Sequence, residues 1–199
     1  MKNLIFNGSP RKKGGTAALI NELSGHLKGD ISVISSYHAD ISPCVDCRYC
    51  WTKDKCVIND EMQKVYKLID EADNIIIASP VYFTELTGSL LNLMSRLQYL
   101  WIAREYRHAE ALSQKRRNGA IILVDAGEGH SIDAAISMGK RLLRVMSANF
   151  ICLVHFSGTV NAPKSDIIVP EHVRTEIEAL AEKLFFHHTS GSDTLTGDS

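Results

Sequence analysis

Four of the chain's five cysteines crowd into the run Cys44-x2-Cys47-x2-Cys50-x5-Cys56. Thiolates are soft ligands, and spacers this short wrap the backbone around one small object. Two successive C-x2-C steps suit an iron–sulfur centre, in which three ligands come from one short run. Structural zinc competes for the same residues, although zinc ribbons usually pair two C-x2-C units across a longer spacer. A redox disulfide and a metal-free thiol group are the other readings. Cys152 sits apart inside an apolar run and reads as a small core residue.

A second chemical signal opens the chain. After Leu4-Ile5-Phe6 comes Asn7-Gly8-Ser9-Pro10-Arg11-Lys12-Lys13-Gly14-Gly15-Thr16, leading into a helical pattern. A glycine-rich turn ending at a helix N-terminus is an anion site, because the first helical N–H groups have no intrahelical partner. Ser9 and Thr16 add hydroxyl donors there, and Arg11 and the two lysines add positive charge. The loop is neither Walker A nor the G-x-G-x-x-G fingerprint. A solvated basic loop is the plainer alternative. Further on, Ser79-Pro80-Val81-Tyr82-Phe83 closes another apolar run, with two rings that either border a flat ligand or pack in the core. Asp125-Ala126-Gly127-Glu128-Gly129-His130 closes a third. Gly127 and Gly129 would let backbone approach a ligand closely, and His130 is either a proton donor or an ordinary loop histidine. No Ser/His/Asp or paired-carboxylate pattern calls for hydrolysis.

These loops need strands and helices to hold them. Short, mostly β-branched runs at Leu4–Phe6, Ile75–Ala78, Ala120–Val124 and Phe150–Val154 predict buried strands, and Ile31–Ile34 a less buried one. Between them lie apolar stripes of helical period. Thr16 is placed to cap the first, with Leu19, Ile20, Leu23 and Leu27 on its face. Met62, Val65, Tyr66 and Ile69 form the second, capped by Asn59 or Asp60. Leu90 to Trp101 reads as one apolar helix, packed either into the core or, through Tyr99 and Trp101, against another subunit. Ile132, Ala135, Ile136, Gly139, Leu142, Leu143 and Met146 make a fourth stripe. A last helix starts near Pro170 and runs through Val173, Ile177, Leu180, Ala181 and Leu184. Strand and helix alternate five times, which predicts an α/β fold with a doubly wound, five-stranded parallel sheet.

In such a fold the three loops share the carboxyl edge of the sheet, where ligands bind. The expected organisation is one domain over residues 1–189, with a cysteine-rich segment at 37–58 inserted before the third strand. The polar stretch 190–199 is expected to be disordered. The chain has 199 residues, 22 Lys plus Arg against 23 Asp plus Glu, and a net charge of −1. That balance offers no electrostatic footprint for nucleic acid, and no apolar run is long enough to span a membrane. Clustered thiols without an export signal point to a cytoplasmic protein.

Gly8-Ser9-Pro10-Arg11 with Gly15-Thr16, followed by Ser79-Pro80-Val81-Tyr82-Phe83, resembles the NAD(P)H-dependent FMN reductase family of flavodoxin-like proteins. The resemblance covers most of residues 1 to 185. It implies that Ser9, Arg11, Gly15, Thr16 and Ala17 hold the phosphate and ribityl of FMN, and that Pro80, Val81, Tyr82 and Phe83 meet the flavin ring. Three positions depart from the family pattern. Gly15 stands where Asn is common, Leu91 where Lys is usual, and Ser95-Arg96 where Asp-Arg is usual. The cysteine run is similar to the compact motif of iron-sulfur flavoproteins, a branch of that family with a 4Fe-4S cluster beside FMN, brought together across subunits. Cys44, Cys47, Cys50 and Cys56 would then be the ligands. The implied activity is an FMN-dependent oxidoreductase passing electrons between NAD(P)H, or a ferredoxin-like donor, and a small-molecule or protein acceptor. The implied assembly is a homodimer or a dimer of dimers. A non-enzymatic flavin and iron–sulfur electron carrier is one alternative, and a zinc-stabilised flavodoxin-like interaction protein is another.

Overall fold

The computed structural model describes residues 1–127, 131–158 and 167–189. The strands are β1 (Lys2–Asn7), β2 (Asp30–Ser35), β3 (Asn74–Tyr82), β4 (Glu85–Leu86), β5 (Arg117–Val124) and β6 (Ala148–Phe156). The helices are α1 (Gly15–His26), α2 (Met62–Glu71), α3 (Gly88–Met94), α4 (Gln98–Glu105), α5 (Asp133–Val145) and α6 (Glu171–Thr189). The main sheet is ordered β2-β1-β3-β5-β6 and is parallel throughout, while the two-residue β4 turns back antiparallel on β3. Without that hairpin strand, the order is the doubly wound one expected, with its switch point between β1 and β3.

Alternate residues of the central strands enter two cores. Phe6, Ile75, Ile77, Ile121 and Leu123 pack under α2, α3, α4 and α5. Ile5, Ile76, Ile122 and Val124 pack under α1 and α6. Gly139 lets α5 lie close on β5, because a Cβ there would stand 2.7 Å from Ile121 Cδ1.

Four expectations need correction. The run Phe150–Val154 is a strand but not a buried one. It forms the sheet edge in β6, where among the described residues only one side has a neighbour, so Phe150 is exposed and Cys152 half-buried. Thr16 does not cap α1. The N-cap is Gly14 with no side-chain cap, and Thr16 lies buried in the first turn. At α2 the cap position is Glu61 rather than Asn59 or Asp60, with no side-chain cap, although the Asp60 carboxylate accepts the Met62 N–H at 3.1 Å. The helix read over Leu90–Trp101 is broken into α3, a 3-10 turn at Ser95–Leu97, and α4. There the Ser95 hydroxyl donates back to the Asn92 carbonyl at 2.6 Å, a local bond that competes with regular helix. His130 and the stretch 190–199 lie outside the described residues.

At the amino edge of the sheet, three buried asparagines pair across strands. Asn118 Nδ2 donates to Asn74 Oδ1 at 3.0 Å, and Asn74 Nδ2 donates to Asn3 Oδ1 at 2.8 Å. Asn3 Nδ2 ends the chain of bonds on the carbonyls of Lys28 and Asp30.

Candidate functional site

The carboxyl edge gathers the loops that follow β1, β3 and β5. In the first, the Ser9 N–H donates to Asn7 Oδ1 at 2.9 Å and the Arg11 N–H donates to Ser9 Oγ at 3.2 Å. Ser9, Gly15, Thr16 and Ala17 are buried, while Arg11, Lys12 and Lys13 are exposed. The Ala18 N–H reaches the Gly14 carbonyl, so the amides of Gly15, Thr16 and Ala17 precede the first intrahelical bond. No side chain caps this end. A turn that is buried at both ends and whose last three amides precede the first intrahelical bond has the donors to receive an anion.

Contacts that the sequence reading did not single out lock the second loop to the first. Thr87, fully buried, donates its hydroxyl to the Gly8 carbonyl at 2.8 Å. Its own N–H donates to Ser79 Oγ at 3.3 Å, and Ser79 Oγ donates to the Pro80 carbonyl at 2.7 Å. Gly8 has no room for a side chain there. A Cβ would stand 2.9 Å from both Leu90 Cδ2 and Ser79 Oγ.

Pro80, Val81 and Tyr82 end β3, and Phe83-Thr84 turn the hairpin into β4. Both turn residues have positive φ, 52° and 70°. That suits a tight two-residue hairpin, but for a bulky and a β-branched residue it costs about 1–3 kcal/mol each. The strained turn holds Phe83 fully exposed beside a half-exposed Tyr82, so neither ring packs in the core. The Thr84 carbonyl accepts the Ala135 N–H at 3.2 Å, which ties the hairpin to the start of α5.

The third loop is organised by buried Asp125. Its Oδ1 accepts Ser157 Oγ at 2.6 Å and the Gly127 N–H at 3.1 Å, and its Oδ2 lies 2.7 Å from His155 Nε2. Burial alone would push this carboxyl up. The bonds from Ser157 and His155 outweigh burial and hold it below the usual carboxylate range. Ser9, Gly15, Thr16, Ala17, Pro80 to Phe83 and Gly127 thus share one sheet edge, with Arg11 on the exposed rim of the first loop.

The cysteine segment leaves that edge after β2. Ser36 donates its N–H to the Asn7 carbonyl and receives the Ser89 hydroxyl on its own carbonyl. Left-handed residues Asp46 (φ 48°) and Arg48 (φ 58°) curl the backbone on either side of Cys47. Cys44, Cys47, Cys50 and Cys56 line one concavity together with Arg96 and Tyr99. All four are free thiols. Burial pushes the Cys50 thiol up, and the nearby Cys56, Cys44 and Cys47 add to the rise. The sulfurs share a wall without converging to a point: among the described residues, no group of three His, Cys, Asp or Glu is placed to hold a metal ion.

Arg96 stands behind this wall with its side chain fully buried. Nη1 donates to Asp60 Oδ2 at 2.6 Å and to the Ser42 carbonyl at 3.0 Å. Nη2 donates to the Ile58 carbonyl at 3.2 Å and to Cys56 Sγ at 3.3 Å. Nε is buried with no acceptor among the described residues, a cost of about 1–3 kcal/mol. Beside it, Ser95 Oγ accepts the Cys44 N–H at 2.9 Å, and Tyr99 donates to the Asp54 carbonyl at 3.2 Å. Leu90, Leu93, Met94, Leu97 and Leu100 go into the chain's own core, leaving half-buried Trp101 edge-on to the exposed Tyr106, which in turn meets Trp51.

Sequence reasoning quoted Ser79 and Asp125 in their loops and Ser95-Arg96 as a departure without giving them a part in the site, and it missed Thr87, His155 and Ser157, which nothing local marked.

The sequence pattern of the NADPH-dependent FMN reductase family matches residues 1–157. An iron-sulfur flavoprotein of Methanocaldococcus jannaschii is 33% identical over 126 residues, covering 60% of this chain and 65% of that protein. One from Archaeoglobus fulgidus is 30% identical over 145 residues, covering 71% of this chain and 62% of that protein. The chain therefore spans just under two-thirds of the length of these relatives. An FMN-dependent NADH-azoreductase from Bacillus anthracis, solved with FMN, superposes with a TM-score of 0.63 at 17% identity, covering 92% of this chain and 99% of that one. At that identity the likeness is one of fold. No helix among the described residues is long and apolar enough to cross a membrane.

Proposed function

Because the chain belongs to the NADPH-dependent FMN reductase family, we propose that it is an FMN-dependent oxidoreductase carrying electrons between NAD(P)H, or a ferredoxin-like donor, and an acceptor. The observation that supports this best is the locked pair of loops at the carboxyl edge. The turn from Ser9 to Ala17, buried at both ends, offers three amides to a phosphate, and the Thr87–Gly8 bond fixes it against Pro80–Phe83. Ser9, Arg11, Gly15, Thr16 and Ala17 would hold the phosphate and ribityl, with Gly127 and the segment from Pro80 to Phe83 at the ring. Bound FMN supplies two-electron hydride acceptance and one-electron release. The protein's part is to anchor the phosphate, border the ring with Tyr82 and Phe83, and keep Asp125 ionised between Ser157 and His155.

The donor set on the concavity fits a 4Fe-4S cluster held by Cys44, Cys47, Cys50 and Cys56. Four soft thiols line one wall, backed by a buried cation and its unused N–H. A single zinc, with Zn–S bonds of about 2.3 Å, would require the sulfurs to close to a point, whereas a cluster accepts them spread around it. The names of the curated relatives point the same way. Residues 1–189 would form one domain in the cytoplasm with 37–58 as its cysteine-bearing insertion, assembling as a homodimer or dimer of dimers through the exposed aromatics.

The test is anaerobic purification with FMN, iron, acid-labile sulfide and zinc quantified per chain, followed by addition of NADH or NADPH. The expected result is stoichiometric FMN, iron matched by sulfide, and a flavin band bleached at a catalytic rate. Failure to take up FMN refutes the reading, and zinc in place of iron refutes the cluster. A flavin band that neither nicotinamide bleaches identifies a carrier with protein partners only.

A further inference from the structure

The cysteine segment is held by one dipeptide from a different part of the chain. Ser95 and Arg96 sit in the 3-10 turn between α3 and α4. Ser95 Oγ takes the N–H of the first cysteine, Cys44, and Arg96 Nη2 donates to the sulfur of the fourth, Cys56. The same guanidinium bonds the Ser42 and Ile58 carbonyls, two residues outside the cysteines at either end. Asp60 fixes it from the far side at 2.6 Å, and Tyr66 fixes its backbone by donating to the Arg96 carbonyl at 2.7 Å. Arg96 therefore staples both stems of the loop and places a permanent cation against one sulfur.

We infer that Ser95-Arg96 is the positioning device of the thiolate cage, and that the Arg96 cation raises the reduction potential of the cluster the cage holds. The inference rests on the cluster reading above. A charge-assisted N–H···S bond becomes stronger as negative charge builds on sulfur, so it favours the reduced state of the centre. It also anchors Cys56, because groups that orient a metal ligand govern how readily the metal leaves. The buried Nε–H is a further donor on the same side chain, with no acceptor among the described residues.

The test compares anaerobically reconstituted wild type with Arg96→Gln, Arg96→Lys and Ser95→Ala. Iron and sulfide content, FMN content, the cluster midpoint potential and iron release to a chelator are measured for each. Arg96→Gln is expected to keep FMN, to show a lowered potential, and to release iron roughly 10- to 100-fold faster. Arg96→Lys, which retains the charge, is expected to stay closer to the wild-type potential than Arg96→Gln does. Ser95→Ala, which leaves the buried ion pair intact, is expected to release iron faster and covers the case in which Arg96 variants do not fold. Wild type that takes up no iron and sulfide sinks the cluster reading, and this inference with it. Loaded wild type alongside variants of unchanged potential and unchanged release rate overturns the clamp alone.

Discussion

Replacing Thr87 with Val tests whether the two ligand-facing loops act as one unit. The change keeps the branched shape and removes one hydroxyl, at a site with no solvent to replace it. The lost bond, 2.8 Å to the Gly8 carbonyl, leaves a buried acceptor short of its partner. That costs about 1–3 kcal/mol, and the added methyl returns about 0.8 kcal/mol. A net loss of about 0.2–2 kcal/mol is expected in urea unfolding of the FMN-free protein. Gly8 opens the turn that ends at the amides of Gly15 to Ala17, so loosening it should also appear in FMN binding. If the whole loss falls there, the Kd rises about tenfold for each 1.4 kcal/mol. Thr87→Ser is the control. It keeps the hydroxyl, loses about one methyl of packing, and should lower stability while leaving FMN affinity near wild type. Fluorescence titration of FMN into the three proteins decides the matter. A Val variant that binds like wild type, or a Ser variant that binds worse than Val, would refute the coupling.

Three further outcomes follow from the same geometry. Changing the strained pair Phe83-Thr84 to Asn-Gly should raise the unfolding free energy by about 1–2 kcal/mol, since Asn-Gly adopts positive φ readily, while weakening FMN binding through loss of the exposed ring; calorimetry and titration read the two effects. Asp125 lies below its ordinary value in the folded chain, so its stabilisation is present above the unfolded value of about 3.9 and is lost as pH falls through the lower folded one. Asp125→Asn should therefore lower Tm near neutral pH and flatten its decline between about pH 5 and pH 2, whereas a parallel curve would show that the carboxylate carries no linkage. Cys47→Ser, at the exposed cysteine, should abolish iron uptake while leaving FMN content unchanged, and loss of both together would tie the cage to the flavin site.

The fold was legible because its signals are local. Runs such as Ile75–Ala78 and Ile121–Val124 are apolar at every position, as buried parallel strands must be, and the stripes on α2 and α6 keep helical spacing. The glycines after β1 marked the anion turn for the same reason. Tertiary placement was harder to see. Phe150–Val154 is as apolar as an interior strand, and only the strand order puts it at an edge. Apolar periodicity continues unbroken through Ser95–Leu97, so the break is visible only once Arg96 is seen bonding Asp60 and three groups of the cysteine segment. Asp125 and His155 are 30 residues apart and meet because β5 and β6 run side by side.

The asparagine ladder at the opposite end bears on all of this. Asn3, Asn74 and Asn118 are neighbours in the pairing of β1, β3 and β5, and each amide finds its partner only in that alignment. Sliding any of the three strands by one residue would strand buried amides without partners. The rungs therefore set how far each strand reaches before its loop begins. A device five or so residues away levels the platform on which the coenzyme is proposed to rest, and an aliphatic replacement at Asn74 would tilt that platform without touching it.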